Sequence, residues 1–159
     1  MARTTLTERL AAAAAIVERL TPADAAKAMA DGAIVVDIRS STTRERDGVI
    51  PGSLHIPLTV LHWRLEPGGA WRTPHVQEGS RVVLVCDHGC SSLLAAAELV
   101  AMGVEASDVA DGVDGWAEAG LPLVQWLDPP VPRGALLGME PPATAVVPSS
   151  RWTGRTAGT

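Results

Sequence analysis

The 159-residue sequence predicts an α/β fold built on a parallel sheet, and three observations carry that prediction. Two short runs, AIVVDI at 33–38 and VVLV at 82–85, are rich in β-branched residues and, Asp37 apart, apolar, the pattern of strands buried on both faces. Segments with helical spacing lie between and after these runs. Strand and helix segments alternate along the chain, which implies parallel strands joined by crossover helices.

Taken in order, residues 5–15 read as a helix, with Leu6, Leu10, Ala13 and Val17 at helical spacing and Thr7 as a candidate cap for the segment from Glu8 onward. Residues 16–20 suit a short edge strand. Thr21-Pro22-Ala23-Asp24 is a helix start: a capping residue, proline at the first helical position and an acid in the first turn. That helix ends near Asp31-Gly32, and the strand at 33–38 follows. Residues 40–47 are polar, and Arg44, Glu45, Arg46 and Asp47 read as solvated surface. Ile50-Pro51-Gly52-Ser53 forms a turn, 54–56 a short strand closed by Pro57, and 59–65 a short helix. The Gly- and Pro-rich stretch 66–79 is a loop, with Trp71 as its candidate anchor. After the strand at 81–85, residues 93–102 are rich in Ala and Leu and read as a helix stopped by Gly103. Residues 104–110 hold a last strand, and 111–116 turn into a short helix that stops at Gly120.

Domain organisation follows from composition. Residues 1–20 are expected to form a helical extension and 21–127 the folded domain. From 128 to 159 periodicity vanishes, and six of the twelve prolines lie at or beyond Pro129, as in a disordered tail. A hydrophobic share of 47% permits a sizeable core, but with no Phe and no Tyr it must be built from Ala, Val, Leu and Ile, with Trp as the only aromatic. The net charge of −5 argues against nucleic acid as a partner. Two cysteines are too few for a structural zinc site and make a poor disulfide framework, so neither metal nor cofactor is expected. No apolar run approaches the ~20 residues of a membrane span. The apolar run 11–17 is short for a signal peptide and is flanked by Glu8, Glu18 and Arg19. The expected location is cytoplasmic.

The chemistry concentrates in residues 81–100. Cys86 stands at the carboxyl end of a buried strand, and Cys86-Asp87-His88-Gly89-Cys90-Ser91-Ser92 forms a tight loop that opens a helix. Ligands in open parallel sheets bind outside the carboxyl ends of the strands. A helix N-terminus adds free N–H groups and a positive dipole end, both of which favour a thiolate, the nucleophilic form of cysteine. The other reading of a cysteine at this place is a small core residue.

Four stretches, in order, resemble the single-domain rhodaneses, the sulfurtransferase family. They are residues 35–39 with the DxR pattern of Asp37 and Arg39; residues 50–57, IPGSLHIP; residues 86–92, fitting C-x-x-G-x-x-S; and residues 112–122, fitting G-x-x-x-W-x-x-A-G-x-P. The resemblance they carry covers about residues 21–124. The resemblance implies a five-stranded parallel sheet flanked by helices on both faces. It implies that Cys86 takes a sulfane sulfur from a small donor such as thiosulfate, holds it as a persulfide and passes it to a thiol or cyanide-like acceptor. Asp87, His88, Gly89, Cys90, Ser91 and Ser92 would form the substrate-binding loop, their N–H groups cradling sulfur or an anionic donor, with Asp37 and Arg39 in support.

The chain departs from the family pattern at several positions. Asp87 and Ser91 stand where many active members carry basic residues, and a negative charge at 87 disfavours ionisation of a nearby thiol. Val49 replaces a histidine, and Asp111-Gly112 replaces paired glycines. Cysteine phosphatases, some of them on this fold, use C-x5-R, whereas the residue six positions after Cys86 is Ser92. A binding or sensing module with an inert Cys86 is the alternative to an enzyme. Cys90 reads either as a loop filler or as a thiol that resolves the persulfide.

Overall fold

A computed structural model describes residues 3–126. Five strands form one sheet: β1 (Glu18–Leu20), β2 (Ile34–Asp37), β3 (Leu54–His55), β4 (Val82–Val85) and β5 (Ala106–Val109). Every pairing is parallel, in the order β1-β5-β4-β2-β3. Six helices accompany it: α1 (Leu6–Ala14), α2 (Pro22–Ala30), α3 (Ser41–Asp47), α4 (Leu61–Leu65), α5 (Ser91–Ala101) and α6 (Gly112–Glu118). The predicted class, a five-stranded parallel sheet with helices on both faces, is the observed one.

The strands divide their side chains between two apolar layers. Val82, Leu84 and Cys86 face one layer with Val36, Ile38 and residues of α1, α4 and α5; Val83 and Val85 face the other with Val35, Ala25 and Ala28 of α2, and Val113 and Trp116 of α6. Burial on both faces explains why β4, and β2 up to Asp37, read as apolar runs rather than alternating ones. With Phe and Tyr absent, Trp116 is the one large aromatic in the core among the described residues; it is 2% exposed and its indole N–H donates to the Pro122 carbonyl at 3.0 Å.

Several local expectations are corrected. The cap of α1 is Thr5, not Thr7: its hydroxyl accepts from the Glu8 N–H, while the Glu8 carboxylate accepts from the Thr5 N–H. This reciprocal pairing satisfies two groups that Thr7, already inside the helix, could not. Residues 41–47 form a helix on which Glu45, Arg46 and Asp47 are exposed as expected, but Arg44 is buried and not solvated. Trp71 does not anchor the 66–79 loop through its ring, which is exposed; Thr73 and Val76 are buried instead, and Arg64 holds the Trp71 carbonyl. The helix after the Cys86 loop begins at Ser91, two residues earlier than its Ala/Leu pattern indicates. The proline-rich stretch 128–159 lies outside the described residues. Among the described residues no helix is long and apolar enough to cross a membrane.

The strand order places a topological switch between β2 and β4. From β2 the chain moves outward to β3 on one side; from β4 it moves outward to β5 on the other. The connections leaving the carboxyl ends of these two neighbours therefore diverge, and they leave the crevice in which open sheets bind ligands. Asp37 pairs with Val85 in register, so the residues that follow them, Ile38-Arg39 and Cys86-Asp87, flank that crevice.

Candidate active site

Cys86 follows directly on β4, and its chain turns sharply into α5. The thiol is 7% exposed and sits inside the turn. Its Sγ accepts N–H bonds from Gly89 at 3.2 Å and Ser92 at 3.4 Å, and the thiol donates to the Ser92 hydroxyl oxygen at 3.3 Å. Ser92 belongs to the first turn of α5, where N–H groups have no partner within the helix. One of these donors is thus spent on sulfur. Two N–H donors converging on Sγ, at the positive end of an eleven-residue helix, favour negative charge there.

The curl of this loop depends on two glycines. Gly89 has φ +80°, and a Cβ there would lie 1.9 Å from the Ala110 carbonyl oxygen. Gly112 has φ +62°, and its Cβ would lie 2.5 Å from the Cys86 oxygen. The first turn of α6 packs so closely that Val113 and Asp114 donate to the Cys86 and Asp87 carbonyls at 2.8 and 3.2 Å. Those bonds turn the loop carbonyls away from the sulfur.

The remaining loop residues take different positions. The Asp87 carboxylate, about one-third exposed, lies 3.8 Å from Arg39 Nη1. The His88 ring is exposed and pairs with Asp114 at 2.7 Å. Cys90 is exposed at the N-cap of α5, whereas the Cys86 thiol is buried; both are free thiols. Ser91 lies on the exposed rim.

Asp37 and Arg39 form a buried pair beside the loop. The Asp37 carboxylate accepts from the Arg39 N–H, from Arg39 Nε at 3.0 Å and Nη2 at 2.8 Å, and from Arg44 Nε at 3.1 Å. Arg39 also donates to the Gly48 carbonyl, while its buried Nη1 has no hydrogen-bond partner among the described residues and faces Asp87. Such a pair costs desolvation that good geometry must offset. Its five N–H bonds fix where the Arg39 charge stands.

Sequence reasoning missed four contributors. Arg44 completes the Asp37 pair and stacks on Trp126, its guanidinium carbon 4.6 Å from the ring centroid. Trp126 also meets His55 edge-on at 6.2 Å. Arg19 and Asp108 pair beneath the Cys86 loop, with Asp108 wholly buried. The available signal was a carboxylate set inside an otherwise small and apolar strand, ASDV, which requires a nearby cation. Among the described residues no group of His, Cys, Asp and Glu side chains is placed to hold a metal ion.

Comparison with known proteins gives the following. The family model described as Rhodanese-like domain matches residues 21–119. No curated protein matches the chain. Among solved structures, a Rhodopseudomonas palustris protein of unknown function, described as a possible tyrosine phosphatase, is 33% identical, with a TM-score of 0.70 over 78% of this chain and 99% of that one. A thiosulfate sulfurtransferase from Pseudomonas aeruginosa is 25% identical with a TM-score of 0.54, over 69% of this chain and 19% of that one. The polysulfide-sulfur transferase homodimer from Wolinella succinogenes is 24% identical with a TM-score of 0.60, over 73% of this chain and 84% of that one, a likeness of fold.

Proposed function

The chain belongs to the rhodanese-like domain family, and from that premise we propose that it is a sulfurtransferase that carries a sulfane sulfur on Cys86. The observation that carries this reading is the convergence of the Gly89 and Ser92 N–H groups on a single buried sulfur at the sheet's switch point. In the first step the Cys86 thiolate attacks the outer sulfur of a donor such as thiosulfate. A sulfur–sulfur bond forms, the donor's own bond to that sulfur breaks, and sulfite leaves with the electron pair. In the second, a thiol or cyanide-like acceptor attacks the terminal sulfur and the Cys86 thiolate leaves. Splitting transfer in two lowers each barrier, the logic of covalent catalysis. The resemblance to the Pseudomonas aeruginosa thiosulfate sulfurtransferase supports a small sulfur donor.

Phosphatase chemistry, suggested by the description of the Rhodopseudomonas palustris protein, lacks its clamp here. The position that would carry the phosphate-binding arginine is Ser92, whose hydroxyl is turned inward toward Cys86 and Asp108. Cyanolysis tests the proposal. The purified chain, preincubated with thiosulfate, should form thiocyanate on addition of cyanide, and Cys86→Ser should form none. No thiocyanate from the wild type, with thiosulfate or with polysulfide as donor, would favour a binding module over an enzyme.

A further inference from the structure

Beneath the Cys86 loop runs a chain of polar contacts for which the sulfur-transfer steps above have no use. The Ser92 hydroxyl, 3.3 Å from Cys86 Sγ, donates to Asp108 Oδ2 at 3.1 Å. Ser92 and Asp108 are both wholly buried. Arg19, directly opposite Asp108 in the β1–β5 register, donates to both carboxylate oxygens, Nε to Oδ1 at 3.0 Å and Nη2 to Oδ2 at 2.9 Å. The same Nη2 donates to the Gly89 carbonyl at 2.5 Å and the Ala110 carbonyl at 3.0 Å. Arg19 thus holds the Gly89 carbonyl away from the sulfur toward which the Gly89 N–H points.

A hydroxyl has one proton to give. While Ser92 gives it to Asp108, its oxygen can only accept from Cys86, an arrangement suited to the thiol. When the thiol loses its proton to solvent base, Sγ keeps the electron pair, and sulfur and carboxylate then compete for the same Ser92 proton. A buried carboxylate with no other partner would keep it, because an unpaired buried charge is costly. A carboxylate already holding two guanidinium bonds can release it to Sγ. We propose that Arg19 and Asp108 are positioning residues that govern the ionisation of Cys86 through Ser92, so that the supporting cation comes from β1 beneath the loop instead of from the loop itself. This accounts for a loop that carries Asp87 and Ser91 where basic residues are common in the family. The inference takes its purpose from the sulfur-carrier reading, but its test does not depend on turnover.

The other ionisable groups around the site are Asp87, His88 and Cys90 on the loop, Arg39 after β2, and Asp111 and Asp114 at the start of α6. All but Cys90 stay unchanged in the test. The rate of iodoacetamide alkylation of Cys86 is followed by mass against pH in the full-length chain carrying Cys90→Ser. Arg19→Gln should move the midpoint of the profile upward by about one unit, a tenfold loss of thiolate at a given pH, and Arg19→Lys should recover part of that shift. Asp108→Asn should move it downward, since Ser92 is then free to donate to sulfur. In a Ser92→Ala background Arg19→Gln should change the midpoint by less than about a third of a unit, a twofold difference in thiolate. An unshifted midpoint in folded Arg19→Gln, or an equal shift without Ser92, would overturn the proposal. If Arg19→Gln alone does not fold, the double variant Arg19→Gln/Asp108→Asn leaves no unpaired buried charge beneath the Cys86 loop; its midpoint should fall at or below that of the parent, and a higher midpoint would overturn the proposal. Persulfide loading is measured in parallel. Loading with unshifted midpoints sinks this inference alone, whereas shifted midpoints without loading sink the sulfur-carrier reading alone.

Discussion

Asp87 follows the nucleophile, and its negative charge has a definite counterpart. Arg39 Nη1, buried and otherwise unpartnered among the described residues, lies 3.8 Å away. An anionic donor approaching Cys86 meets a cation already partly compensated by Asp87. Asp87→Asn removes that compensation without adding bulk, so kcat/KM for thiosulfate should rise about tenfold, equivalent to about 1.4 kcal/mol in the transition state. An unchanged or lower value would mean that Asp87 serves a different donor. Gly89 makes the opposite case, a residue whose importance is steric. Its positive φ and the 1.9 Å approach of Ala110 O leave no room for a methyl group. Gly89→Ala should cost about 1–3 kcal/mol in urea unfolding and disturb the cradle. At this scale the placing of Cys86, Gly89 and Ser92 in one turn between β4 and α5 was legible in the sequence, because a buried apolar strand, a glycine and an Ala/Leu helix follow one another there. Arg19 and Asp108 were not, because their pairing joins strands distant in sequence: the carboxylate inside ASDV calls for a cation but does not say which one.

At the scale of the element, α3 shows why a charged stretch misleads. Residues 40–47 carry four charged side chains, and composition alone places them in solvent. Instead α3 swings Arg44 inward to Asp37, and Trp126 closes over it. The hidden information was the partner, a carboxylate at the end of β2 that one arginine does not saturate. His55 borders the same cluster. Burial pushes its imidazole below its ordinary value; the hydrogen bond to the Arg39 carbonyl works against that shift, and the Arg44 charge adds to it. The folded chain therefore binds this proton less tightly than the unfolded chain. Stability from this group is fully present above the unfolded value, about 6.5, and is lost as pH falls through the folded one. The melting-temperature gap between wild type and His55→Gln should accordingly narrow from about pH 7 to about pH 5, across the histidine range. A constant gap would show that His55 does not titrate against folding.

For the whole molecule, the sheet was legible because β2 and β4 are buried on both faces and so cannot hide their apolar runs. Strand order was not, since nothing local says that β4 lies between β2 and β5. The far end of the domain was also under-read. Val124 pairs with Val49 in an antiparallel bridge, and Trp126 covers Arg44 and His55. Truncation after Leu127 should leave the melting temperature within a few degrees of wild type, while truncation after Pro122 should lower it well beyond that. Equal effects would mean that the Val124 bridge and Trp126 contribute nothing. The central claim is that this sheet presents one sulfur, that of Cys86, as a carrier. Intact-mass analysis after exposure to a sulfane donor tests it most directly. The account predicts one added sulfur atom, mapped to Cys86, removed by cyanide and absent from Cys86→Ser; an added sulfur that persists in Cys86→Ser, or maps to Cys90, would contradict it.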